Sequence, residues 1–125
     1  MNRLAAALIL LFISVGIGLS GHFYIVSSAE NLIEYIEQDR MLTVASGMPS
    51  ADRAEKIQEE WKKRETLFVA ILPHSELDEI EISIMNLTDF QKQEFSEEYI
   101  KALNECINRL EHIRETQKPD FKNIF

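Results

Sequence analysis

The sequence predicts an all-α protein in which an N-terminal transmembrane helix continues into a stalk and is followed by a small antiparallel helical bundle. Three observations predict this fold class. The segment from Leu4 to Ala29 contains no Lys, Arg, Asp or Glu. Beyond it, apolar residues recur every three or four positions, which is the period of a helix with one buried face. Finally, no pair of alternating strand-like runs flanks a tight turn, so no β-hairpin is expected.

The uncharged N-terminal segment is long enough to cross a membrane. As a helix, residues 4–29 extend over about 39 Å, whereas the hydrocarbon core of a bilayer is about 30 Å thick. We predict a transmembrane anchor at residues 4–26, of which the strictly apolar part ends at Leu19. The glycines inside it are compatible with a membrane helix, because the helical hydrogen bonds satisfy the backbone without help from side chains.

A cleaved secretory signal is the alternative explanation of the same segment. Arg3 supplies a small positive start, and Ser27-Ser28-Ala29 is an acceptable small-residue cleavage site. We favour an uncleaved anchor for two reasons. The apolar run is at or beyond the usual ~7–15 residues of a signal core. In addition, a helical stripe continues past the cleavage site through Leu32 and Ile36.

The charges at the two ends of the anchor predict its orientation. Arg3 precedes the anchor, and the first charged residues after it are Glu30 and Glu34. By the positive-inside rule, residues 1–3 lie in the cytoplasm and residues 27–125 form an extracytoplasmic domain. A cleaved signal would export the same domain, so this expectation holds for both explanations.

Breaks in the helical pattern divide the extracytoplasmic domain into four helices. Gly47 to Ser50 interrupts the first helix, with Ser50 as the cap of the second, and Pro73 ends the second. Ser75 with Asp78 approximates a capping box for the third helix, and Ser96 is placed to cap the fourth. The predicted helices cover residues 27–46, 51–72, 76–92 and 97–116.

The apolar stripes of these helices predict the core of the bundle. Its expected members are Ile57, Trp61, Phe68, Leu77, Ile80, Ile84, Leu103, Ile107 and Leu110. The single cysteine, Cys106, lies on an apolar helical face, and we expect a small buried hydrophobe rather than a reactive thiol. One cysteine makes no internal disulfide, so the fold depends on packing alone.

The charge of the chain limits the classes of partner. Thirteen basic and 21 acidic residues give a formal net charge of −8, and every acidic residue lies after Ala29. Such a field repels nucleic acid and anionic lipid headgroups, so no nucleic-acid partner is expected. The expected contacts are with the lipid bilayer through the anchor, and with a membrane-protein partner or a second copy of the chain.

The glycines of the anchor fit two different patterns. Gly16, Gly18 and Gly21 match the dinucleotide fingerprint G-x-G-x-x-G. That fingerprint requires a strand before it and a β-α-β alternation after it, and neither is recognisable. In a membrane helix, Ser14, Gly18 and Gly21 instead share one face, where small residues let two helices approach closely. Glycine is also common in membrane helices without a partner, so both versions of the membrane interpretation stay open.

One acidic cluster is the best candidate for a metal site. Glu76, Asp78 and Glu79 lie with His74 and Glu81 near the start of the third helix, where a hard cation such as Ca²⁺ would find oxygen ligands. No EF-hand spacing accompanies these acids. Acidic residues in a first helical turn also interact favourably with the helix dipole. We favour a solvated helix start and expect no metal or other cofactor.

Several stretches of the chain resemble one bacterial family. They are Trp61-Lys62-Lys63, the segment from Phe68 to Ser83, Leu110 to Ile113, and the closing Asn123-Ile124-Phe125. In these pieces the chain resembles the family catalogued as domain of unknown function 4363, which consists of small single-pass membrane-anchored helical proteins. The resemblance implies Gram-positive bacteria and a membrane location. It implies no known activity and assigns no catalytic residue.

Two classes of function remain. The first is an interaction or accessory subunit of a membrane assembly in the cell envelope. The second is a small sensor or binding module that responds to cations or to pH through the acidic helix start. No Ser/His/Asp or Cys/His arrangement is recognisable in the sequence, so we do not expect an enzyme.

Overall fold

The computed structural model describes residues 3–117, and in this range it contains four α-helices and no strand. The helices are α1 (Arg3–Ser46), α2 (Ala51–Ile71), α3 (His74–Lys92) and α4 (Ser96–Gln117). The predicted anchor and the predicted first helix of the domain form one uninterrupted helix, α1. The closing residues 118–125 of the predicted domain lie outside the described residues. The all-α fold class is confirmed.

Local chemistry explains where most helices begin and end. Gly47 follows α1 with a positive φ of 79°, a conformation that glycine adopts without strain. As predicted, Ser50 is the N-cap of α2, and its side chain accepts a hydrogen bond from the backbone N–H of Arg53. Leu72 follows α2, and its N–H donates to the carbonyl of Phe68 at 2.8 Å, which closes the last turn.

Two of the predicted caps are wrong. Pro73 is the N-cap of α3 and makes no side-chain capping bond, and α3 begins at His74. Ser75 therefore lies inside the first turn, where it cannot form a capping box with Asp78. Ser96 is also inside its helix, because the carbonyl of Phe95 already accepts the first helical hydrogen bond from the N–H of Tyr99.

The four helices form an antiparallel bundle in which each helix packs against two neighbours. α1 lies between α2 and α4, and α3 lies between the same two helices on the opposite side. All nine residues predicted for the core are buried between them. The segment predicted to be a stalk is itself a bundle helix, because one face of α1 is buried from Ile25 onwards. Its buried residues are Ile25, Ser28, Ala29, Leu32, Ile33, Ile36, Asp39 and Thr43.

The first part of α1 projects from the bundle. From Arg3 to Tyr24 no residue is buried, and large apolar side chains are exposed on all sides of the helix. This segment is long and apolar enough to cross a membrane, a property that it shares with secretory signals. The α2–α3 turn lies at the end of the bundle from which the segment projects. The α1–α2 and α3–α4 turns lie at the other end, which we call the distal end.

Candidate functional site

The acidic cluster predicted at the start of α3 is divided between two surfaces. Glu79 faces α4, where its Oε2 accepts a hydrogen bond from Arg109 at 2.6 Å. Glu76 also faces α4, and its Oε1 lies 3.8 Å from Nε2 of His112. Asp78 is exposed on the outer side of α3, as the helical spacing requires. The carboxylates therefore do not converge on one point.

Glu76 and Glu79 instead form part of an open groove between α3 and α4. The groove has a volume of about 300 Å³ and is lined by Glu76, Glu79, Ile80, Glu105, Asn108, Arg109, His112 and Ile113. Arg109 lies at its centre, where it donates to Glu79, to Glu105 at 3.0 Å and to Ser83 at 3.1 Å. Its guanidinium therefore already pairs with two of the carboxylates that line the groove. Within residues 3–117, no three His, Cys, Asp or Glu side chains converge as a metal site would require.

A buried polar network at the distal end connects three helices. Asp39 of α1 is 2% exposed, and its Oδ1 accepts hydrogen bonds from Nε of Arg53 at 2.7 Å and from Thr43 at 3.1 Å. Its Oδ2 accepts from the hydroxyl of Tyr99 in α4. Burial, and then the Asp39 carboxylate, raise the pKa of Tyr99, so that its hydroxyl remains a donor. A carboxylate with this many partners is well satisfied in the interior.

A second charged cluster surrounds Glu60 of α2, which is 5% exposed. The carboxylate pairs with Arg64 at 2.7 Å, Lys56 at 3.1 Å and Lys63 at 3.2 Å. The hydrogen bond from Arg64, followed by that from Lys56, lowers the pKa of Glu60 to about 2. Arg64 also donates from Nε to the carbonyl of Ser28 at 3.1 Å, so this cluster connects α2 with α1.

Three further core residues, Trp61, Phe68 and Cys106, make no charged contacts within residues 3–117 that would point to a site. The ring centroids of Trp61 and Phe68 are 5.5 Å apart in a tilted arrangement. Nε1 of Trp61 is buried and has no hydrogen-bond partner among the described residues. Burial raises the pKa of the Cys106 thiol to about 12. This cysteine therefore has the character of a buried apolar side chain rather than of a reactive thiol.

The glycines of the dinucleotide-like pattern lie within continuous helix, so they do not form a phosphate-binding loop. A Cβ added at Gly16 or Gly18 would have no neighbour within 4 Å. At Gly21 it would lie 3.8 Å from Cδ1 of Ile71, at the end of α2. Two of the small residues predicted to serve membrane packing therefore differ. Gly18 has no neighbour from the bundle, whereas Gly21 lies against Ile71 of α2.

Exposed apolar side chains gather at the distal end of the bundle. Met41 and Val44 lie on the outer side of α1, and Met48 and Phe95 lie in the two distal turns, with exposed fractions of 49–70%. Ser96 holds these turns together, because its hydroxyl donates to the carbonyl of Gly47 at 2.6 Å. We call Met41, Val44, Met48 and Phe95 the distal apolar patch. Single exposed apolar residues are ordinary, whereas several of them at one end of a bundle make that end a candidate interaction site.

The polar networks were not foreseen from the sequence. Asp39 and Thr43 do continue the buried stripe of Leu32 and Ile36, so the position of Asp39 on an apolar face was a usable signal. No such signal exists for Glu60, because its cationic neighbours on α2 resemble an ordinary solvated helix face.

Comparison with known sequences gives one match. The profile of the domain of unknown function DUF4363 matches residues 20–124, which include the end of the projecting segment and the whole bundle. No curated protein and no solved structure has significant similarity to the chain. Because the matched region covers most of the chain, this protein belongs to the DUF4363 family.

Proposed function

We propose that the chain is a single-pass membrane protein that keeps its N-terminal helix. Its bundle lies outside a bacterial cell membrane, with the N-terminus in the cytoplasm, and acts as an interaction or accessory subunit of an envelope assembly. This proposal assigns no catalytic reaction and no cofactor to the protein. Its partner is a membrane protein or a second copy of the chain.

The burial around Ala29 is the observation that supports this proposal most directly. Signal cleavage at Ser27-Ser28-Ala29 would remove Ile25 and Ala29, both 0% exposed, from the core. It would also remove the Ser28 carbonyl to which Arg64 donates. A cleavage site within a packed helix interface is unfavourable for the product, since it deletes large buried contacts from a small domain. Retention of the helix keeps the bundle complete.

The distribution of polar and apolar groups supports a binding role. The two buried carboxylates of the described residues, Asp39 and Glu60, are each paired with cations that are only partly buried. The distal apolar patch is exposed, and the exposed residues Glu94, Glu97 and Glu98 lie next to its residue Phe95 in the sequence. An apolar surface with an acidic rim fits a partner that has apolar side chains bordered by basic ones. A second copy of the chain fits this surface less well, because the two acidic rims would repel each other.

The anchor is tested by topology and by intact mass. Alkaline phosphatase fused after Phe125 should be active in a bacterial host, because the fusion point is predicted to lie outside the membrane. The full-length protein should also remain in the membrane fraction after carbonate washing, with an N-terminus that includes Arg3. A released species that begins near Glu30 would contradict the proposal and make the domain a secreted one.

The interaction role is tested by photocrosslinking in cells. A photoreactive residue at Met41 should yield one discrete adduct, whereas the same residue at Ile82, which is 58% exposed on α3, should yield none. Gly18→Leu then tests the anchor as a second contact, since a Cβ added at this position has no neighbour within 4 Å. If the adduct from position 41 is lost when the chain also carries Gly18→Leu, part of the interface lies in the N-terminal helix. Equal crosslinking from Met41 and Ile82 would exclude the distal apolar patch as the site of interaction.

A sensor is the second candidate, and the pair of Glu76 and His112 is the observation that favours it. This pair is ionic only when His112 is protonated, and it joins α3 to α4 beside the groove. If the pair acts as a sensor, acidification should change the melting temperature of the protein, and His112→Asn should abolish that change. Glu55→Gln, on an exposed part of α2, is the control. An identical pH response in all three proteins excludes the sensor.

A further inference from the structure

The α2–α3 turn lies beside the membrane helix at a position that the predicted anchor includes. Ile71, the last residue of α2, packs against α1 at Gly21, where an added Cβ would lie 3.8 Å from its Cδ1. Gly21 is five residues before the end of the predicted anchor at residue 26. The bundle therefore does not begin above the anchor but overlaps its outer end.

The depth of this contact follows from helix geometry. From Leu4 to Gly21 a helix rises by about 26 Å, at 1.5 Å per residue. The hydrocarbon core is about 30 Å thick, so Gly21 falls near its outer boundary when Leu4 lies at the inner one. Phe23 and Tyr24 follow immediately and are 59% and 63% exposed. Aromatic residues at this height are typical of the membrane–water interface.

The composition of the turn suits that depth. Residues 66–73, with the sequence TLFVAILP, contain no charged side chain, and the nearest charges are Glu65 and Glu76. Val69 is 49% exposed and Ile71 is 37% exposed, although both are large and apolar. Ile71 faces α1 at Gly21, whereas Val69, two residues earlier, lies on another face at the same end of α2. The N–H of Leu72 is satisfied by Phe68, which lowers the cost of placing this end of α2 in an apolar medium.

We propose that the α2–α3 turn, together with the end of α2 that leads into it (residues 66–73), is embedded in the outer headgroup–acyl boundary of the bilayer. The bundle then has two contacts with lipid, one through α1 and one through the turn. This inference rests on the proposed function, because it requires a retained anchor. The contact is apolar and involves no phosphate-binding cation of the turn, so it occurs with neutral lipids and does not weaken with salt.

Lipid explains the exposed turn better than a protein partner does. The turn lies at the height of the outer leaflet and is joined to a helix that lipid already surrounds, so lipid reaches it without a further binding step. The uninterrupted helix α1 also leaves no hinge by which the bundle could lift away from the membrane. A second membrane protein at the same place is the competing occupant, and the experiment below separates the two.

The test measures the contact of single labelled sites with lipid. The full-length chain carries one environment-sensitive fluorophore on a cysteine introduced by Val69→Cys, Phe12→Cys or Met85→Cys. It is reconstituted at low density in phosphatidylcholine vesicles, with and without lipids that bear a nitroxide quencher in the upper acyl chain. Met85 is the matched control, because it is apolar and 57% exposed but lies in the middle of α3, away from the α2–α3 turn. Wild-type protein should take no label, since Cys106 is fully buried.

The expected result is a shift of the Val69 emission to shorter wavelength and strong nitroxide quenching, both unchanged by added salt. Met85 should show neither effect, and Phe12 should be shielded from water. If Phe12 is shielded and Val69 behaves like Met85, the embedded turn is wrong while the anchor stands. If Phe12 is accessible to water, the anchor and the embedded turn both fail. A shifted Val69 signal without lipid quenching points to protein contact and overturns the inference.

Discussion

The two halves of α1 are one continuous helix in two different environments. Residues 4–24 have apolar side chains on all sides, and none of them is buried by the rest of the chain. Residues 25–46 bury one largely apolar face against α2 and α4, and near the distal end Met41 and Val44 are exposed outside that face. A helix that is apolar all round needs an apolar solvent or a complete protein coat, whereas an amphipathic helix needs one packed face. The change in pattern therefore marks the change in surroundings.

The two halves meet without a break between the projecting segment and the bundle. No glycine or proline break separates the two halves, and the first fully buried residue, Ile25, follows Tyr24 directly. The bundle is therefore fixed relative to the anchor by the stiffness of a helix rather than by a linker. Such a connection suits a module that holds a binding surface at a constant height above the membrane.

The largest expected effect is on the free energy of unfolding, and it compares one isoleucine from each half of α1. Ile25→Ala should destabilise the bundle by about 2–5 kcal/mol, because it empties a fully buried site. Ile17→Ala should leave the unfolding free energy unchanged, since Ile17 is 68% exposed in this chain. Urea unfolding of the full chain in nonionic micelles, followed by Trp61 emission, measures both. Similar values for the two variants would falsify the division of α1.

The next effect tests the polar part of the buried face. Asp39→Asn should cost about 1–3 kcal/mol, because Arg53 and Tyr99 lose the carboxylate that pairs them. Glu34→Gln on the exposed side of the same helix should change stability by less than about 0.5 kcal/mol. The same unfolding measurement applies. If Asp39→Asn leaves the free energy of unfolding unchanged, the network does not stabilise the bundle.

A smaller effect concerns pH and the connection between α2 and α1. The folded-state pKa of Glu60, about 2, lies below its ordinary value of 4.5. Its ion pairs therefore contribute stability that is complete above pH 4.5 and is lost as the pH falls through about 2. Glu60→Gln should remove that part of the acid-induced loss, and Glu55→Gln on an exposed site should retain it. Melting temperatures across this pH range are the measurement, and identical acid curves would exclude the Glu60 cluster as their source.

The smallest expected effect concerns the groove between α3 and α4. Changing Glu76 and Glu79 together to Gln should alter stability by less than about 1 kcal/mol, since Glu79 and Arg109 form a solvent-exposed pair. Millimolar Ca²⁺ should leave the melting temperature of both proteins unchanged. A calcium-dependent rise that the double variant lacks would assign a cation site to this groove.

Sequence periodicity anticipated much of the fold, and its failures are local. The helices after α1 begin close to the predicted residues, and the core stripes of α2, α3 and α4 are buried. Next to the buried Phe68 and Leu72, Ile71 is 37% exposed, because it faces Gly21 of α1 rather than the centre of the bundle. The cap errors at Ser75 and Ser96 arose because a serine near a helix start is a weak signal when a neighbouring carbonyl can accept the first helical bond.

The sequence by itself determined the helices, their breaks and the apolar character of the anchor, because these depend on residues within a few positions of one another. Only the tertiary structure decided which helices touch. It made the expected stalk a bundle helix, paired Asp39 with Tyr99 sixty residues away, and set Ile71 against Gly21. Such contacts join distant parts of the chain, and a pattern with a period of 3.6 residues identifies a buried face without identifying what covers it.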